Sequence, residues 1–263
     1  MEKVLVRFEP HEDVGVITLD NPARRNVLSR AALTQLLERL EEAEAYAEAR
    51  CVILAAEGPV FSAGHDLAEV VEATESERRS LFALCSQTMQ TIRGLALPVI
   101  AQVQGLATAA GCQLAATCDL IVAAESASFA TPGIRIGLFC STPAVALSRA
   151  VSTKKAMEML LTADPVPAHE AERIGLVNRV VPDSELAGAT MQLAKKIAAA
   201  SPYTIGLGKR GFYEQLGLST EMAYQVTEEI MVENARSPDA IEGMKAFLER
   251  RTPQWQARLE ASR

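Results

Sequence analysis

Two short apolar runs, Val99–Val103 and Leu120–Ala124, read as buried strands. Between them stands Gly105-Leu106-Ala107-Thr108-Ala109-Ala110-Gly111-Cys112-Gln113, followed by a run rich in alanine. Gly105 allows a sharp exit from the first strand. Thr108 is placed to cap a short helix, whose first amides then have no partner one turn back. The small side chains of Ala109, Ala110 and Gly111 leave that backbone open to close approach by a ligand. Fixed amides aimed at a point where negative charge develops are what an oxyanion hole requires.

Elsewhere the pattern predicts further elements. Val4, Val6 and Phe8 alternate with other residues, and Val14–Leu19 follows a polar break, as in an antiparallel strand pair. Ser29 can cap a helix carrying Leu33, Leu36, Leu37 and Leu40 on one stripe. Cys51–Ala55 reads as a central strand, and a Gly58-Pro59 turn leads on to Phe61. The acidic, polar stretch Glu69–Arg79 reads as a mobile flap, within which Thr74 opens an amphipathic helix carrying Leu81, Leu84, Cys85 and Met89. Beyond it, Thr153–Leu161 and Ala168–Ile174 look helical and Val177–Val181 extended. After Pro182 only helices are predicted: Asp183–Ala199, Pro202–Leu216, Ser219–Arg236 and Pro238–Glu249. The expected architecture is an α/β core over residues 1–198 with a helical C-terminal region over 199–263.

Composition narrows the function classes. With 49% apolar and 22% charged residues among 263, a packed core is feasible. A net charge of −7 gives no global attraction to nucleic acid or to an anionic membrane, and neither is expected as a partner. No apolar run approaches the roughly 20 residues of a membrane span. Cys51, Cys85, Cys112, Cys118 and Cys140 include no C-x-x-C pair and read as free buried thiols. His11, His65 and His169 have no metal-ligand spacing, so no metal is expected. Together with an N-terminus lacking a continuous apolar stretch, these features predict a cytoplasmic location.

A second stretch, Phe61-Ser62-Ala63-Gly64-His65-Asp66-Leu67, complements the first. Together they resemble the two motifs of the crotonase superfamily, the enoyl-CoA hydratase/isomerase group: F-x-x-G-x-D-[LI] and G-x-x-x-G-G-G-C-E. The resemblance runs from about Val14 to about Pro253. It implies a crotonase-like ββα spiral, C-terminal helices that build a homotrimer or homohexamer, and an acyl-CoA thioester as substrate. Coenzyme A would enter as part of that substrate, with no tightly bound cofactor.

Residue by residue, the resemblance makes the backbone amides of His65 and Ala110 the oxyanion donors. The His65 side chain itself has no assigned role, and Asp66 reads as a capping or turn residue. CoA contacts are implied around Arg25, Asn26 and Val27, and along Ala63, His65, Asp66 and Leu67. Phe247 and Arg250 match an A-F-x-x-[KR]-R pattern that holds the nucleotide end, often of a neighbouring subunit.

The chain departs from the hydratase pattern at two positions. A hydratase places water between two glutamates acting as acid and base. Here the slots hold Gln113 and, in Phe129-Ala130-Thr131-Pro132-Gly133, Gly133. Glutamine cannot take a proton at neutral pH, and glycine has no side chain. Cys140 stands near these positions as a thiol without an assigned base. Ser62–Asp66 with Thr131-Pro132 is similar to methylmalonyl-CoA decarboxylases of the same superfamily, although Cys140 replaces their tyrosine. The chain also resembles the enoyl-CoA hydratase domain-containing members. Two expectations follow: a lyase that stabilises a thioester enolate without the glutamate pair, or an inactive acyl-CoA-binding or regulatory protein.

Overall fold

The computed structural model describes residues 3–256. In chain order the elements are β1 (Val6–His11), β2 (Val14–Leu19), α1 (Arg30–Ala45), β3 (Cys51–Ala56), β4 (Val60–Ser62), α2 (Leu67–Glu72) and α3 (Glu75–Gly94). Next come β5 (Val99–Val103), β6 (Leu106–Thr108), α4 (Ala110–Thr117), β7 (Leu120–Ala124), β8 (Ser128–Ala130), α5 (Ser141–Ala150) and α6 (Thr153–Thr162). The chain continues with β9 (Val166–Pro167), α7 (Ala168–Arg173), β10 (Arg179–Val181), α8 (Leu186–Ala198), α9 (Pro202–Gln215), α10 (Thr220–Ala235) and α11 (Pro238–Glu249).

The strands form two sheets, one of six strands ordered β1-β2-β3-β5-β7-β10 and one of four ordered β4-β6-β8-β9. Each turn of the chain lays one strand in the large sheet and the next in the small one: β3 then β4, β5 then β6, β7 then β8. A helix closes each turn, which makes the ββα spiral. Apart from the β1–β2 hairpin, the large sheet is parallel.

Both faces of the large sheet are covered, which explains the unbroken apolar runs. In β3, Val52 and Leu54 join the main core with Leu33, Leu36 and Leu40 of α1. Cys51, Ile53 and Ala55 face the other way and pack with Leu186, Leu193 and Ala194 of α8. Ser29 caps α1 as the sequence suggests, its hydroxyl accepting from the Ala32 amide; such a cap is worth about 1 kcal/mol. All five cysteines are free and buried.

Two expectations are corrected. The stretch 69–79 is not a loose flap: it falls within α2 and α3 and is tied down. Thr74 and Glu77 form a reciprocal capping box at the start of α3, Arg78 donates to the carbonyls of Val70 and Val71, and the Arg30 amide donates to Glu69. Thr108 is not the cap of α4. It ends β6, and Ala109 takes the cap position at φ 51°, ψ −120° without a side-chain bond. The β6–β8 pairing extends one residue further than the local pattern implies, because the Ala109 amide donates to the Ala130 carbonyl.

Candidate active site

The small sheet positions the site. Strands β4, β6 and β8 are parallel neighbours, and each is followed at its C-terminal end by one piece of the site. Gly64-His65 follows β4, Ala109-Ala110 follows β6, and Thr131-Pro132-Gly133 follows β8. Gly64 has φ +82°, and a Cβ added there would stand 2.9 Å from the Ala110 nitrogen and 3.0 Å from the Thr108 oxygen. Only glycine lets the two motifs touch at this point.

The two amides nominated from sequence are not spent on the fold. Ala110 opens α4, so its amide has no carbonyl one turn back. The bridge between Leu28 and His65 uses the Leu28 amide on the Gly64 carbonyl and leaves the His65 amide free among the described residues. A cavity of about 570 Å³ opens beside them. Its lining includes Ala63, His65, Leu67, Ala110, Gly133 and Cys140, so six of the nominated residues meet there.

No carboxylate lines this cavity among the described residues; its ionisable side chains are His65, Arg135 and Cys140. Glu69 and Glu77 are engaged by the Arg30 amide and the Thr74 cap and do not line it. Arg135 pairs with Asp164 at 3.1 Å on the exposed side. Burial pushes the Cys140 thiol up, away from the thiolate form that a nucleophile needs. The imidazole of His65 packs edge-on against Phe82, ring centres 5.3 Å apart. Its Nδ1 lies 3.2 Å from the Leu28 carbonyl, and its buried Nε2 has no partner. Burial lowers the His65 pKa, so the ring is neutral near pH 7.

Several nominated residues take other roles. Gln113 is 4% exposed and lines not this cavity but a second one, of about 460 Å³, between α3, α4, α5 and α9. Three residues beyond Ala110 it stands on nearly the same face but about 4.5 Å further along α4. Gly133 lines the first cavity and has no room for a side chain: an added Cβ would meet the Leu138 oxygen at 2.0 Å and the Cys140 sulfur at 2.8 Å. Asn26 is buried with its side chain fully employed, accepting from the Asn21 amide and donating to the carbonyls of Glu57 and Val60. Arg25 and Asn26, both at positive φ, brace the first motif through their carbonyls, which accept from the Ala63 amide and the Ser62 hydroxyl. Val27 lies on the same loop, outside the cavity lining. Asp66 caps α2 at the Ala68 amide and pairs with Arg24 at 2.9 Å, as its reading as a capping residue anticipates. Phe247, 83% exposed, and Arg250 lie on and just after α11, away from the cavity of the same chain.

Sequence reasoning missed Phe82, Arg135 and Phe139 in the lining. Phe82 adjoins the apolar stripe of α3 and could have been noticed there. Arg135 and Phe139 sit in a 3-10 turn and the loop after it, whose course the local pattern does not fix.

Comparison with known proteins identifies the family. The family model for enoyl-CoA hydratase/isomerase matches residues 9–258. The chain belongs to the enoyl-CoA hydratase/isomerase family. It is 49% identical over 256 residues to mouse (Mus musculus) enoyl-CoA hydratase domain-containing protein 3, mitochondrial, covering 97% of this chain and 85% of that protein. The crystal structure of human enoyl Coenzyme A hydratase domain-containing protein 3 superposes with a TM-score of 0.91 at 46% identity, covering 96% of this chain and all of that one. A Mycobacterium smegmatis structure described as an enoyl-CoA hydratase gives 0.93 at 44%, covering 97% and 100%. The crotonase fold read from the two motifs is therefore the fold of this family member. The cytoplasmic expectation is overturned, because the mouse, rat and human relatives at 48–49% identity are mitochondrial proteins. Neither the free thiols nor the first residues of the chain carry enough information to fix a compartment.

Proposed function

We propose that this family member binds an acyl-CoA thioester with its carbonyl oxygen between the amides of His65 and Ala110, and stabilises the enolate formed there. The observation that carries this reading is the junction at Gly64, which brings two uncommitted amides to one edge of an apolar cavity. Each such donor is worth roughly 2.7–4 kcal/mol of barrier. Ala63, His65 and Leu67 would border the CoA arm, with the Arg25–Val27 loop behind them. Phe247 and Arg250 would reach the nucleotide end of a neighbouring subunit in a trimer or hexamer.

The absence of carboxylates from the lining favours chemistry that needs no general base. In decarboxylation of a malonyl-type thioester, the bond from Cα to the carboxylate breaks and its electron pair passes to the thioester oxygen. CO₂ leaves, and the enolate then takes a proton from water. His65 is not used by this step: with Nδ1–H donating to the Leu28 carbonyl, its Nε2 has no proton to give, and that nitrogen is buried away from solvent rather than exposed as a base. Hydration by contrast lacks both of its proton-transfer groups.

A panel of malonyl-type and enoyl-CoA esters tests this reading. CO₂ release from the former, with hydration of crotonyl-CoA depressed by at least 10²-fold relative to a two-glutamate hydratase, is the expected result. Hydration at ordinary rates would defeat it. Saturable calorimetric binding without turnover of either class would instead support the second reading, an acyl-CoA-binding protein that has shed its proton-transfer groups.

A further inference from the structure

The third strand end of the small sheet brings a thiol into the first cavity. After β8 the chain makes a 3-10 turn over Pro132–Ile136, closed by Gly137 in the left-handed region at φ 76°. The Leu138 amide donates to the Gly133 carbonyl, so the chain comes back against Gly133. Cys140 then takes the cap position of α5, with a side chain that makes no capping bond. It is 8% exposed and lines the cavity. Its sulfur lies 2.8 Å from where a Cβ on Gly133 would stand. The thiol thus fills the space in which a side chain at position 133 would begin, and glycine there is what makes room for it.

Strand order sets this thiol against the reacting carbon. β4, β6 and β8 lie side by side in that order. His65 follows the first, Ala110 the second, and the turn from Gly133 to Cys140 the third. A thioester oxygen held by the first two amides leaves its carbonyl carbon with two branches, the CoA sulfur and Cα, which point apart. With the CoA arm along Ala63, His65 and Leu67 at the β4 side, Cα is the branch directed toward β8.

Other lining groups are poorer acids. The one ring proton of the neutral His65 is spent on the Leu28 carbonyl. Arg135 is held by Asp164, and a guanidinium does not give up its proton in proteins. The hydroxyls of Thr108, Ser141 and Thr142 also line the cavity, but an aliphatic hydroxyl is a far weaker acid than a thiol. Burial raises the Cys140 pKa, so the sulfur carries its proton near pH 7, while the Gly133 amide beside it acts in the opposite sense.

We propose that Cys140 is a catalytic acid of this site, handing its S–H proton to Cα of the thioester enolate. The S–H bond breaks, a C–H bond forms at Cα from the enolate electron pair, and the carbonyl is restored between the amides of His65 and Ala110. The thiolate left behind sits at the N-terminus of α5 and beside the Gly133 amide, surroundings that favour a thiolate. It recovers a proton from water. Water remains the source of the proton, and the thiol fixes the face of the enolate that receives it. This inference rests on the decarboxylation reading above.

Turnover of freshly dissolved 2-methylmalonyl-CoA in D2O tests it. Loss of CO₂ and uptake of one deuteron make Cα of the propionyl product a stereocentre. The unmodified protein is expected to give a single enantiomer of the deuterated product. Cys140→Ser, with a weaker acid in nearly the same volume, and Cys140→Ala should release CO₂ about 10²-fold more slowly and give a product close to racemic. Handedness is the deciding readout. Circular dichroism checks that each variant is folded, and the folded one decides if the other is not. A racemic product from the unmodified protein, or a single enantiomer from a folded variant, overturns the proposal and leaves the decarboxylation reading intact. No CO₂ from the unmodified protein removes both.

Discussion

Ala109 holds a backbone conformation outside the ordinary regions for an L-residue, immediately before the Ala110 amide. Such a residue costs about 1–3 kcal/mol, and the β6–β8 pairing on one side and α4 on the other hold it there. Ala109→Gly is expected to raise stability by about 1 kcal/mol, read as a higher urea midpoint. His65 gives a pH signature. Burial outweighs the Leu28 hydrogen bond and lowers its pKa in the folded state. As pH falls below about 6.5, the unfolded chain takes up this proton first, so stability present above that value is lost on acidification. The urea midpoint should drop less between pH 7.5 and 5.5 in His65→Gln than in the unmodified protein. Gly133 sets a limit on redesign. With the Leu138 oxygen 2.0 Å from any Cβ, Gly133→Glu should destabilise the loop by about 1–3 kcal/mol or more. Paired with Gln113→Glu, whose carboxylate would face the other cavity, it should fail to install hydration of crotonyl-CoA, as loss of enoyl absorbance would report.

At the scale of elements, one cluster ties the C-terminal helices to the spiral. Lys209 of α9 donates to the carbonyls of Ile92 and Leu97 and pairs with Asp119 just before β7, with side chains only 7% and 15% exposed. Removing one partner of such a pair leaves the other charge buried, so Lys209→Ala should cost about 3–5 kcal/mol in denaturant unfolding. The order of strands and helices was legible because buried strands and amphipathic helices write their periods locally. The meeting of the two small-residue stretches was legible too, from the motifs they resemble, and the structure leaves the amides of His65 and Ala110 unpaired there among the described residues. The flap was misread because a helix with a polar outer face has the composition of a loop, and only the Thr74–Glu77 box distinguishes it. The facing of Gln113 was not legible at all: α4 is apolar or small on nearly every side, so no stripe shows which side turns toward which cavity. The second cavity is made where α3, α4, α5 and α9 converge, a contact between distant parts of the chain that no local pattern announces.

Over the whole molecule, the helices after α8 leave apolar side chains uncovered. Phe212, Met231, Met244, Phe247 and Leu248 are all more than half exposed in the single chain. Together with the family's fold, this favours a trimer or a pair of trimers, and light scattering at micromolar concentration should report three or six copies. A strictly monomeric mass would rule that out and leave the placement of Phe247 and Arg250 at a neighbour's nucleotide site without support.

The parallel pairing of β4 with β6 sets more than a topology. Neighbouring strands stand about 4.8 Å apart; if the amides of His65 and Ala110, which follow these two strands, keep that spacing, an oxygen about 2.9 Å from each would see the two nitrogens diverge by about 110°. That is close to the angle between the lone pairs of an enolate oxygen. On the function proposed above, the charge would be held by backbone set by sheet spacing, with side chains bearing on it only where their bulk would intrude, as at Gly64. Every acidic or basic group around it can be exchanged through evolution while the charge-holding edge persists, so a single spiral can pass from one thioester reaction to another without first being rebuilt.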